Sequence, residues 1–109
     1  MDNHFIVDID KWRERSIFSQ MGNIGSEVGR AISARIGGNK SREESATERA
    51  LDLFDATSKI MADEKSPRLK EILRARENFL EILQDFDEDD ARGLEKYFMN
   101  FAIAERNKL

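Results

Sequence analysis

Four apolar stripes, each stepping by three and four residues, constrain this chain more than any other feature. That spacing puts side chains on one face of an α-helix, which turns once every ~3.6 residues. Ile17, Met21, Ile24, Val28, Ala31 and Ile32 form the first stripe. Ala46, Ala50, Leu53, Phe54, Thr57 and Met61 form the second, with Ile60 at its edge. Leu69, Ile72, Leu73, Leu80 and Leu83 form the third, flanked by Phe79 and Phe86, and Leu94, Tyr97, Phe98, Phe101 and Ala102 form the fourth.

The residues between the stripes punctuate helices. Gly37-Gly38 ends a first long helix that starts at Lys11 or Ser16, because glycine accepts the left-handed conformation at a helix C-terminus. Ser41 and Glu44 match a capping box, and Ser66-Pro67 suits the start of a third helix. Asp89 or Asp90 is placed to cap the fourth. Amphipathic helices joined by short polar loops pack with antiparallel neighbours. The expected architecture is an all-α, up-and-down antiparallel four-helix bundle, one domain over residues 1–109 with a short N-terminal arm at 1–10. In that arm Phe5, Ile6, Val7 and Ile9 either pair as a short strand or pack on the bundle.

Composition removes several classes of function. There is no cysteine, so thiol catalysis, disulfides and Cys-ligated metals are out. Lys and Arg number 18 against 22 Asp and Glu, a net charge of −4 that disfavours broad attraction to nucleic acid or anionic membranes. No apolar run reaches the ~18 residues of a membrane span, and residues 1–10 carry no signal-like apolar stretch. A cytoplasmic protein is expected. The single histidine, His4, lies in the arm, so no Ser–His pair or Glu-x-x-His metal motif can form in the core. Asp85-x-Asp87-x-Asp89 copies the start of a calcium loop, but Asp90 replaces the required glycine and Lys96 the required glutamate. No metal and no cofactor are expected.

Two constellations stand out. Gly22, Gly25, Ser26 and Gly29 form a face of small residues beside the first apolar stripe. Helical glycines cost roughly 1 kcal/mol each relative to alanine, so a close approach should compensate them. Phe54, Phe79, Tyr97 or Phe98 of the same chain, a second subunit, or a ligand cleft would each serve. Arg76 falls within the third stripe, between Leu73 and Leu80, and needs an acid or a route to water. Glu27, flanking the first stripe, is the expected partner, with Gln20, Asn23, Ser26 and Thr57 available to complete a polar network. Such a pair is either structural or part of an anion pocket. Arg13, Arg15, Arg30, Arg35, Lys40 and Arg42 gather near the first helix with Trp12, as a solvated face or a modest phosphate-contacting patch.

Three segments carry a family likeness: Asn23-Ile24-Gly25-Ser26-Glu27-Val28-Gly29-Arg30-Ala31, Glu48-Arg49-Ala50-Leu51-Asp52-Leu53, and Leu69-Lys70-Glu71-Ile72-Leu73-Arg74-Ala75-Arg76-Glu77. Across roughly residues 15–105 the chain resembles a group of small, uncharacterised prokaryotic four-helix proteins. More loosely, it is similar to the HEPN superfamily and to the four-helix proteins encoded in ribosomal-RNA intervening sequences. Ribonucleolytic HEPN members use an Arg followed a few residues later by His, whereas Arg106 is followed by Asn107, Lys108 and Leu109. The likeness therefore implies no nuclease.

The expected function is a non-catalytic helical interaction module, a homodimer with Gly22, Gly25, Ser26 and Gly29 contributing to the interface and room for another protein partner. The alternative is a HEPN-like nucleotide- or nucleic-acid-associated module with Glu27, Arg30 and Arg76 around an anion. A metal-dependent hydrolase built on Glu27 and the acids of the second helix is a third reading.

Overall fold

In a computed structural model, residues 7–107 are described. Phe5 and Ile6 of the expected arm, His4, and Lys108 and Leu109 lie outside them. The described chain is all-helical, with five helices rather than four: α1 (Ile9–Arg13), α2 (Ile17–Ile36), α3 (Lys40–Asp63), α4 (Leu69–Gln84) and α5 (Glu88–Arg106).

The added helix, α1, takes the place expected for the end of the arm. Asp8 caps it by accepting from the Lys11 N–H at 3.3 Å. Five residues cannot hold a helix by propensity alone. A side chain holds it instead. Trp12 enters the core and its indole N–H donates to Thr57 Oγ1 at 2.8 Å. The Thr57 hydroxyl donates to Gln20 Oε1 at 2.9 Å, and the Gln20 amide donates to the carbonyls of Trp12 and Arg15. Gln20 and Thr57 are buried, and this closed network satisfies them. Ile17 therefore opens a separate helix, capped by Ser16.

Helix α2 is the centre of the molecule. One side packs on α3 and the other on α5, while α3 carries α1 and α4 on its flanks. Met21, Ile24, Val28 and Ile32 of α2 meet Phe54 and Ile60 of α3 in one core, joined by Ile72 and Phe79 from α4 and Phe98 from α5. Phe54 contacts Phe79 and Phe98 with ring centroids 6.3 and 5.9 Å apart. Ile60, expected at an edge, is buried. Contact between α4 and α5 is thin by comparison, and leaves a trough between them.

The third stripe is rotated from its expected position. Ile72, Ala75 and Phe79 point inward, while Leu73 and Leu80 are 44% and 36% exposed. The buried arc runs through small Ala75 and not through the larger leucines. Arg76 consequently sits at the rim, paired with exposed Asp55 at 3.0 Å.

Three caps also differ. Asn39, not Ser41, caps α3 by accepting from the Arg42 N–H. Helix α4 begins at Leu69 without a side-chain cap, after Lys65 turns the chain at φ 54°. Asp87, rather than Asp89 or Asp90, caps α5, accepting from the Asp90 N–H at 3.1 Å. Gly38, at φ 72°, ends the α2–α3 turn as expected. No helix among the described residues is long and apolar enough to cross a membrane.

Candidate functional site

The expected Glu27–Arg76 pair does not form. Arg76 is at the α4 rim with Asp55, and Glu27 belongs to another cluster. Glu27 lies on α2 beside the core stripe, with only 11% of its side chain exposed. A carboxylate in that position requires compensation. Arg30, one turn further along α2, donates to one oxygen, and Arg49 of α3 donates through Nε to the other at 2.7 Å. Each guanidinium spends one N–H on Glu27 and retains others. Glu27 thus acts as a strut that fixes two cations side by side.

Above this strut a groove of about 1040 Å³ runs between α2 and the N-terminal half of α3. Arg30, Arg42 and Arg49 line it, with the hydroxyl-bearing Ser26, Ser33, Ser41 and Ser45. Arg42 makes no ion pair among the described residues, and Glu95, a carboxylate that also lines the groove near Gly29, is held by Arg92 at 2.8 Å. Backbone N–H groups at the start of α3 face the same end and add partial positive charge. This arrangement suits a ligand with several anionic oxygens: fork-shaped guanidinium donors, short hydroxyl donors and a helix N-terminus converge on it.

None of the lining residues is a histidine or cysteine, and Glu27 is held by two arginines instead of facing other acids. Among the described residues no group of three or more His, Cys, Asp or Glu is placed to hold a metal ion. Glu27 and the acids of α3 form no such group among the described residues.

Of the sequence-level candidates, Glu27 and Arg30 come together and Arg76 does not join them. The glycine face is spread along the α2–α5 seam. A Cβ at Gly25 would lie 2.5 Å from Cβ of Phe98, whereas one at Gly22 or Gly29 would meet Ala102 or Glu95 at 3.5 Å. Gly25 is therefore covered by an aromatic of the same chain. Ser26 donates to the Gly22 carbonyl and borders the groove.

The expected basic patch divides: Arg30 and Arg42 share the groove, and other members stand apart from it. Arg13 pairs with Asp63, and Arg35 is drawn inward, bonding Glu43 and the Leu83 carbonyl and covering the Phe86 ring. Arg49 was not singled out in the sequence, although it borders the α3 stripe just as Glu27 borders that of α2. Opposite charges flanking facing stripes on consecutive antiparallel helices are the signal that would have found it. No protein-family model, curated protein or solved structure matches the chain, so geometry carries the functional reading.

Proposed function

We propose that this chain is a non-catalytic helical binding module that holds a polyphosphate-bearing ligand in the Arg30–Arg42–Arg49 groove. The observation that carries the reading is the Glu27 strut, which presents two guanidiniums to an open, serine-lined groove. Preorganised donors lose less freedom on binding than flexible surface lysines, which favours specific capture over diffuse attraction. We read the four long helices as an up-and-down bundle whose α4–α5 side is incompletely closed, with α1 as an added clasp. A homodimer remains a second reading in narrower form. Met99 and Ile103 are 60% and 37% exposed on α5, and Met99 adjoins Gly22 and Ser26.

Isothermal titration with inorganic tripolyphosphate tests the proposal. Saturable binding that weakens with salt is expected, with Arg42→Ala and Arg49→Ala each losing about tenfold, as fits a lost charge-assisted contact. Arg49→Lys should not restore full affinity, because an ammonium cannot brace Glu27 and reach the ligand at once. Absence of saturable binding, or equal binding by the alanine variants, overturns the proposal. Sedimentation giving a strict monomer at micromolar concentrations removes the homodimer.

A further inference from the structure

A second surface lies apart from that groove. The trough between α4 and α5 has a volume of about 660 Å³, an apolar floor including Ala75, Ile82 and Leu94, and acidic walls. Glu81, Asp85, Asp89 and Asp90 stand along it, all exposed and none in an ion pair among the described residues. Arg74 is the one cation lining it. At the other end the Tyr97 hydroxyl donates to Glu71 at 2.8 Å and ties the two helices together.

Gly93 supplies an independent observation. Glycine weakens a helix interior, and the other glycines inside the described helices each have a neighbour within 4 Å of where a Cβ would stand, closest at Gly25. Gly22 faces Ala102, Gly25 faces Phe98 and Gly29 faces Glu95. Gly93 lies within α5, lines the trough, and a Cβ there would meet nothing within 4 Å. No described residue packs on this bare stretch of helix backbone, which leaves it open to a molecule lying in the trough.

We propose that the α4–α5 trough docks a basic amphipathic helix of a partner protein, with its apolar face on Ala75, Ile82 and Leu94, its Lys or Arg residues against the acidic walls, and its backbone drawn close at Gly93. The trough follows α4 from Glu71 to Asp85, some 20 Å at ~1.5 Å per residue, which accommodates about four helical turns. Two helices flanking an apolar floor form a groove suited to a third helix, and the uncompensated carboxylates select a cationic one.

The test uses the whole chain and a labelled synthetic peptide of about four turns, leucines on one face and lysines on the other, followed by fluorescence anisotropy. Saturable, salt-sensitive binding is expected. Gly93→Leu should abolish it by filling the trough, since the new side chain has open space and leaves the fold intact by circular dichroism. Asp85→Lys with Asp89→Lys should weaken it about tenfold or more. Glu44→Lys with Glu48→Lys, the same total charge change on α3 outside the trough, should leave it much less affected. No binding overturns the proposal. So does equal binding by a scrambled peptide of the same composition, loss of binding by the Glu44→Lys and Glu48→Lys pair to the same extent, or indifference to Gly93→Leu. A dimer of the chain alone that Gly93→Leu dissociates would identify the occupant as a second copy and overturn the assignment to a partner.

Discussion

Alanine placed singly at Gly22, Gly25 and Gly29 should separate three positions that look alike in sequence. Each substitution gains up to ~1 kcal/mol of helix propensity. At Gly22 and Gly29 the new methyl meets its nearest neighbour at 3.5 Å, an ordinary contact, so most of that gain should survive. At Gly25 it would lie 2.5 Å from Cβ and 3.0 Å from Cγ of Phe98. The nearest of these atoms is adjacent to the α5 backbone, so a rotamer change does not relieve the clash; α2 and α5 must separate. Phe98 is only 2% exposed and packs edge-on against Phe54, so the separation disturbs the centre of the core. Overpacking of this kind costs about 1–3 kcal/mol, and more where backbone must move. Gly25→Ala should therefore be less stable than Gly29→Ala by about 2–3 kcal/mol, or roughly 10–20 °C in Tm for a domain this size. Urea denaturation followed by far-ultraviolet circular dichroism measures the difference. Equal stability of the two variants would refute the close approach of α2 and α5.

Two further outcomes follow from the buried polar groups. Thr57→Val keeps the shape of a fully buried side chain but orphans the Trp12 N–H and Gln20 Oε1; at about 1–3 kcal/mol per orphaned group, a loss of ~2–6 kcal/mol is expected, while Thr57→Ser should lose less than half of that. Denaturant titration read by the single tryptophan checks it, and a Thr57→Val loss no larger than that of Thr57→Ser would remove the network from the account. The Tyr97 phenol is held well above its usual value, first by burial, then by its hydrogen bond to Glu71 and the charge of that carboxylate. Because the folded pKa lies above the unfolded one, this contribution is fully present below pH ~10 and is lost as pH rises further. The single tyrosine should thus gain phenolate absorbance above pH 10, later than a free phenol, and Glu71→Gln should bring that rise to lower pH.

The parts of the fold legible in sequence are those where large residues define a stripe unambiguously. The faces of α2 and α3 are of this kind, and Phe98 was among four aromatics expected against the glycine face. Helix α4 was misphased because its buried arc passes through Ala75 while two leucines stay outside, and hydrophobicity alone favours the leucines. The same phasing puts Arg76 within the apolar stripe, whereas it stands at the rim with Asp55. Residue spacing gives angular position around one helix but not which neighbour lies across from it, so Glu27 was matched with the wrong arginine. Caps moved by two or three residues because Asn39, Ser41, Asp87, Asp89 and Asp90 all offer suitable oxygens. Gly93 and the α4–α5 trough were not legible, since an unfilled space has no residue to announce it.

Helix α1 has no conformation to fall back on once its indole leaves the core. A segment this short does not swing outward as an intact rod; release and melting are a single event. Its hold on α3 thus depends on the Trp12 ring and the hydroxyl it meets, with the Arg13–Asp63 pair and the Gln20 amide beside them.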